Sequence, residues 1–188
     1  LCTEIAQNMS AIAEVSQTIT QVDGETVVVS TTKPGDFVVC NLASLSLGRI
    51  DVNNPEEIRE LTRSAVRALD NVIDLNYFPL PYAQINNRRY RPIGLGVSGY
   101  HHMLAKNGLK WESEEHLSFV DKVFEEINRA AIEASCDIPE EKGPYDHFHG
   151  PHRQTGAYFT KRTSPRKAWA PMATPVHKTG PRNGWLLS

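Results

Sequence analysis

Between Ser113 and Pro139 the chain carries one unbroken helical pattern, and that pattern limits the folds open to it. Leu117, Val120, Val123, Phe124, Ile127, Ala130, Ala131, Ala134 and Ile138 recur at three- and four-residue spacing, which puts them on one broad apolar stripe. Ser113 is a residue type that caps a helix start, Glu114 and Glu115 suit its positive end, and Pro139 stops it. A second helix starts at Asn54-Pro55-Glu56-Glu57, where Asn caps, Pro takes the first helical position and Glu57 can close a capping box. Ile58, Leu61, Ala65, Leu69 and Val72 mark its buried face, and the helix ends before Pro79 and Pro81. Arg59, Glu60, Arg63 and Arg67 fall off that face and read as a solvated surface. Two long one-sided helices need an apolar layer to cover.

Thr18 to Val22, Asp23-Gly24, then Glu25 to Val29 read as a hairpin, because Asp-Gly tolerates the positive φ of a type I′ turn. Lys33-Pro34-Gly35-Asp36 is a turn feeding an apolar strand, Phe37 to Cys40. Asn86-Asn87-Arg88-Arg89 reads as a polar turn, Tyr90 to Val97 as a strand, and about 98–105 as a helix. Residues 6–17 fit a helix or a loop. Strands interleaved with helices make the fold class α/β.

With 188 residues, 40% of them hydrophobic, the chain is long enough for one ordinary core. A net charge of -2 leaves no basic footprint, which argues against nucleic-acid binding. Three cysteines are too few and of the wrong parity for a secreted disulfide scaffold, which favours a cytoplasmic setting. No stretch is long and apolar enough for a membrane span. The absence of an initiator Met and of a signal peptide reads as a fragment.

The chemistry concentrates in two places. In Leu1-Cys2-Thr3-Glu4-Ile5 a thiol lies two residues from a carboxylate, so in an extended segment both point to the same side. Apolar Leu1 and Ile5 flank them, and a carboxylate in a dry site becomes a better general base. Cys40 offers a second thiol, and this set suits thiol redox chemistry better than hydrolysis. A Cys-dependent hydrolase is the weaker reading, because no His lies near either Cys in sequence. Gly94, Gly96 and Gly99 spell G-x-G-x-x-G, which keeps an NAD(P)-binding oxidoreductase as an alternative. Its required context is missing, since no strand ending in an acid follows within about 20 residues. Asp146, His147, His149 and His152 crowd together but match no zinc spacing, so no metal site is expected. Cys136, in the last turn of the long helix, reads as a packed cysteine.

Several stretches, in order, carry a resemblance. They are Leu1-Cys2-Thr3-Glu4-Ile5, Val39-Cys40-Asn41-Leu42-Ala43-Ser44-Leu45, Leu69-Asp70-Asn71-Val72-Ile73-Asp74, Arg91-Pro92-Ile93-Gly94-Leu95-Gly96-Val97-Ser98-Gly99, Glu133-Ala134-Ser135-Cys136-Asp137, Gly143-Pro144-Tyr145 and Arg182-Asn183-Gly184. Together they resemble the large catalytic subunit of class I ribonucleotide reductase. The likeness is clear to about residue 156; in 163–181, Pro171 and Pro175 break a helix that relatives would carry.

The resemblance implies part of a ten-stranded α/β barrel, incomplete in this chain, with the Leu1–Glu4 loop threaded through its centre. It implies reduction of ribonucleoside diphosphates to their 2′-deoxy forms. Cys2 would carry a thiyl radical, Glu4 would take the 3′-hydroxyl proton, and Cys40 would supply electrons with a partner thiol absent here. The main chain of Leu1, Cys2, Thr3 and Glu4 would touch the substrate. No cofactor is expected in this chain: the radical would come from a metal-containing small subunit, and nucleotide effectors would bind absent parts. The other partners implied are a second large subunit, and thioredoxin or glutaredoxin as reductant. A packing remnant without activity of its own is the alternative.

Overall fold

A computed structural model of the chain describes residues 7, 10–12, 14–146 and 180–183. Its strands fall into two separate two-stranded sheets. The first is an antiparallel hairpin of β1 (Glu14–Val22) and β2 (Glu25–Lys33), registered Ile19 against Val28. Its turn is built as the Asp-Gly pair requires, with φ of 53° at Asp23 and 84° at Gly24. The strands run longer than the alternating stretch alone indicated.

The second sheet is a parallel pair, β3 (Asn41–Ser46) beside β4 (Ile93–Ser98), registered Asn41 against Ile93. Parallel strands need a crossover, and here it contains α1 (Pro55–Leu75) and α2 (Pro81–Tyr90). After β4 come α3 (Tyr100–Lys106), α4 (Glu114–Asp137) and the single turn α5 (Pro139–Lys142). Asn54 caps α1 by accepting from the amides of Glu56 and Glu57, and Ser113 caps α4 by accepting from that of His116.

Helices α1 and α4 pack together and cover the parallel pair. One core cluster joins Val66, Leu69 and Ile73 of α1 to Ile93 and Leu95 of β4 and Ile132 of α4. A second joins Leu47, Ile50 and Ile58 to Met103, Leu104 and Ile127. Three ion pairs cross the helix seam: Arg59 to Glu126, Arg63 to Glu133 and Arg67 to Glu141. Arg63 and Arg67 are exposed, as expected of a solvated surface, and from there they and Arg59 bridge α1 to α4 and α5.

Several expectations need correction. The strand expected at Phe37 to Cys40 begins instead at Asn41, where pairing with β4 starts. Asn86 to Arg89 lie in α2 and form no turn, because Pro81 opens a helix with its fixed φ and the chain turns only at Arg91, in the left-handed region at φ 46°. Tyr90 therefore ends a helix and does not start a strand. Leu61 and Val72 are exposed, while Thr62, Val66 and Asp70 are buried, so the inner face of α1 is rotated from the expected one. Leu117, the first member of the α4 stripe, is 62% exposed, since the stripe outruns the surface available to cover it. Of the expected barrel, the described residues contain one parallel β–α–β unit; ten strands are not seen among them.

Candidate functional site

Of the residues singled out for chemistry, Leu1, Cys2, Thr3 and Glu4 lie outside the described residues. Cys40 is half-buried and stands immediately before β3. A residue at the start of a paired strand is held by the ladder on one side, which favours precise placement of a side chain. Asn41, next to it, pairs with Ile93 and buries its side-chain Nδ2 with no hydrogen-bond partner among the described residues.

The segment that leads into Cys40 is tied down. Asp36 Oδ2 accepts from Ser10 N at 3.1 Å and from Ser10 Oγ at 2.8 Å, and Asp36 N donates back to Ser10 O at 2.9 Å. Burial would raise the Asp36 carboxyl, but hydrogen bonds from Ser10 and Tyr90 and the nearby Arg89 charge hold it below its ordinary range. Asn86 of α2 donates to Gly35 O at 3.3 Å.

The glycine motif has another use than the NAD(P) alternative required. Gly94 and Gly96 lie inside β4, opposite Leu42 and Ser44 of β3, so they form no phosphate-cradling turn. Gly99 has φ 69° and starts α3, and a Cβ there would lie 3.2 Å from Gly48 N. These glycines serve strand pairing and a close backbone approach.

The densest polar arrangement among the described residues is one that the sequence reading missed. Asp70, on the inner face of α1, is fully buried at 0% exposure. It accepts from Arg91 Nε at 2.8 Å, Asn183 Nδ2 at 2.9 Å and Lys142 Nζ at 3.2 Å. Asp74, one turn on, takes both terminal nitrogens of Arg91, at 2.7 and 3.0 Å. Arg182 donates to the carbonyls of Lys142 and Gly143 and lies 3.5 Å from Asp70. Ser135 of α4 closes the group, donating to Asn183 Oδ1 and accepting from Asn183 N. This network joins α1, the turn between α2 and β4, α4, α5 and residues 182–183.

Its electrostatics follow from the count of charges. Burial alone would raise the Asp74 carboxyl, but hydrogen bonds and charge from Arg91 and Lys142 hold it below the usual range. Burial works against the Arg91 charge, yet Asp74 and Asp70 raise its pKa. Arg182 is pushed down, by burial first and by the neighbouring Arg91 second. The available signal was an Asp at position 70 beside Leu69 on the buried face, repeated four residues later at Asp74. A carboxylate on the buried face of a helix demands a buried cation.

Cys136 is buried in α4, and burial with the nearby Asp137 and Glu133 charges pushes its thiol up to about 12. It packs in the core cluster with Ile132 and Ile138. Among the described residues no group of three His, Cys, Asp or Glu side chains is placed to hold a metal, and His147, His149 and His152 lie outside them. No described helix is long and apolar enough to cross a membrane.

A parallel β–α–β unit, covered by helices and with a thiol immediately before its first strand, defines a segment of an α/β domain. Residues 1–188 match the family profile "Ribonucleotide reductase, barrel domain", and the chain belongs to that family. A ribonucleoside-diphosphate reductase subunit alpha of Treponema pallidum is 62% identical over all 188 residues, which make up 22% of that relative. The corresponding subunit of Helicobacter pylori is 32% identical over 98% of this chain and 26% of its own length. A ribonucleoside-diphosphate reductase large subunit of Variola virus is 32% identical over 87% of this chain and 22% of its own length. The chain thus spans about a quarter or less of the relatives it matches.

Proposed function

We propose that this chain supplies the thiol chemistry of a ribonucleoside-diphosphate reductase, within an α/β barrel of ten strands. What supports the reading most is the family match, which runs across both the Leu1–Glu4 segment and the Cys40 segment. Cys2, as a thiyl radical, takes the 3′ hydrogen of the ribose and becomes a thiol. Glu4 accepts the 3′-hydroxyl proton, which helps the 2′-hydroxyl leave as water. Cys40 and a second thiol elsewhere in the protein give up two protons and two electrons and close to a disulfide. Cys2 then returns its hydrogen to the 3′ carbon and is again a radical. The net change is one ribonucleotide and two thiols converted to one deoxyribonucleotide, one disulfide and water.

The partners that fit this chemistry are a small subunit that generates the radical from its own metal centre, a second large subunit, and thioredoxin or glutaredoxin to reopen the disulfide. Reopened dithiols suit a reducing cytoplasm. Nucleotide effectors act elsewhere in the protein, and this chain needs no cofactor of its own. An enclosed site protects the radical from quenching.

Substitution separates the two thiols. In the full-length protein with its small subunit, Cys2→Ser is expected to lose turnover altogether, because an alkoxyl radical is far harder to generate than a thiyl. Cys40→Ser is expected to keep hydrogen exchange at the 3′ position of labelled substrate while losing clean product. Turnover by Cys2→Ser above a few per cent of the parent enzyme would overturn the assignment.

A further inference from the structure

We propose that Asp70 and Asn183 are positioning residues for Cys40: they fix Arg91, Arg91 fixes the start of β4, and β4 fixes the strand that begins beside the thiol. The inference rests on the thiol chemistry proposed above. Its starting point is how little the core holds β3. No residue from 34 to 46 is fully buried. Leu47, at 1% exposure, pins the far end of the strand, but the end at Cys40 has no such anchor. What holds that end is pairing with β4, Asn41 against Ile93.

The start of β4 is held by Asp70, Asp74 and Asn183 together. Arg91 has φ 46°, a left-handed conformation that a residue with a Cβ keeps only where its surroundings over-determine it. Its Nε donates to Asp70 Oδ1 at 2.8 Å, and its two terminal nitrogens donate to Asp74. Its carbonyl accepts from Asn183 Nδ2 at 3.4 Å, and the same Nδ2 donates to Asp70 Oδ1 at 2.9 Å. One carboxylate oxygen therefore ties Arg91 by its side chain directly and by its main chain through Asn183. The ladder to Asn41 starts two residues after Arg91, at Ile93.

A loosened Arg91 lets β4 move against β3. A slip of one residue would turn Ile93 and Leu95 out of the core, and their burial opposes it. A slip of two residues keeps the faces and would shift Cys40 by about 6.6 Å relative to β4. Smaller movements count as well, because a misplacement of about 1 Å can cost on the order of 100-fold in rate. Asp70 and Asn183 act on the thiol through Arg91 and the ladder.

The test uses the full-length protein with its small subunit and takes two readings on 3′-labelled substrate: hydrogen exchange at the 3′ position, and deoxynucleotide formed. Under the chemistry above only the second needs Cys40. In Asp70→Asn the amide must turn its NH2 either toward Lys142 or toward Arg91 and Asn183, so the network cannot re-form. The variant is expected to keep exchange within about twofold of the parent and to lower product formation on the order of 10- to 100-fold. Asn183→Ala, which removes the partner of the Arg91 carbonyl, is expected to split the two readings in the same direction but less, and it carries the test if Asp70→Asn does not fold. Ile127→Ala, a truncation in the other core cluster, is expected to lower both readings together. An equal fall of exchange and product in Asp70→Asn overturns the proposal, because that is what loss of folded enzyme does. Unchanged product formation overturns it too, and so does a split of the same size in Ile127→Ala. Cys40→Ser, run alongside, separates this inference from the reading it rests on. If Cys40→Ser does not split exchange from product, the thiol assignment falls and the positioning role with it; if it does and Asp70→Asn does not, the positioning role alone falls.

Discussion

The two sheets of this chain have the same number of strands and are held by opposite means. The hairpin β1–β2 is defined locally: a two-residue turn, and cross-strand pairs of polar side chains such as Ser16 with Thr31 at 2.8 Å and Gln21 with Thr26 at 2.6 Å. Each pair of this kind contributes only about 0.2–1 kcal/mol. Ile19, at its centre, is 76% exposed, and Val28 opposite is also exposed. The parallel pair β3–β4 has no turn of its own. Its strands are joined through 46 residues of crossover, and its register depends on burial of Ile93 and Leu95 and on the Asp70 network. Local chemistry suffices for an antiparallel ribbon; a parallel pair has to be held by what packs on it.

The largest test of that contrast is Asp70→Ala. It removes the buried carboxylate that Arg91 Nε, Asn183 and Lys142 share, and leaves the cations only the half-exposed Asp74 among the acids of the network. Removing one partner of a buried ion pair typically costs about 3–5 kcal/mol. Urea unfolding should show a loss of that size in the core. The ellipticity of the hairpin and its cross-strand contacts in nuclear magnetic resonance should remain. A loss below about 1 kcal/mol would mean that β3–β4 holds together without the network.

The same contrast explains which parts were legible in the sequence. The Asp23-Gly24 turn and the caps at Asn54 and Ser113 are each written in two to four adjacent residues, and the structure has all three where expected. The Asn86-Asn87-Arg88-Arg89 stretch was misread because its polarity suggests a turn, whereas Pro81 starts a helix whose polar residues are partly buried. The rotation of α1 was hidden for a related reason. Thr62 and Asp70 face inward to meet tertiary partners, and Asp70's partners lie as far away as Asn183. Of the candidate site, Cys40 was legible as a thiol beside a strand, though not that the strand starts one residue later. The Ser10–Asp36 hydrogen bonds left no mark in sequence, since two common polar residues 26 apart carry no periodic signal.

A smaller effect comes from acid. The Asp74 carboxyl is held below its ordinary value in the folded chain by Arg91 and Lys142, against the opposing effect of its burial. Its contribution is therefore fully present above the unfolded pKa of about 3.9, and is lost as pH falls through the lower folded value. Because Asp74 is 40% exposed, solvent screening limits that contribution to about 1 kcal/mol or less. Asp74→Asn should lower stability at pH 7 by that amount and flatten the stability curve below about pH 4. An unaltered acid limb in the variant would assign it to other carboxylates.

The smallest expected effect lies in the hairpin, at Ile19→Thr. Thr keeps the β-branched shape that suits an extended backbone, so strand propensity hardly changes. What the substitution removes is apolar surface, and at a position 76% exposed very little of that surface is withdrawn from water on folding. A surface change of this kind usually shifts stability by no more than about 0.5 kcal/mol. Urea midpoints of the core should therefore be unchanged within error, and exchange of the hairpin amides should quicken only slightly. In the core, removing a buried aliphatic side chain, as in Ile132→Ala, belongs to the class that costs about 2–5 kcal/mol. A loss of 1 kcal/mol or more at Ile19 would show that this face is covered in the folded protein. The hairpin would then be held by packing, as the parallel pair is, and the contrast between the two sheets would fail.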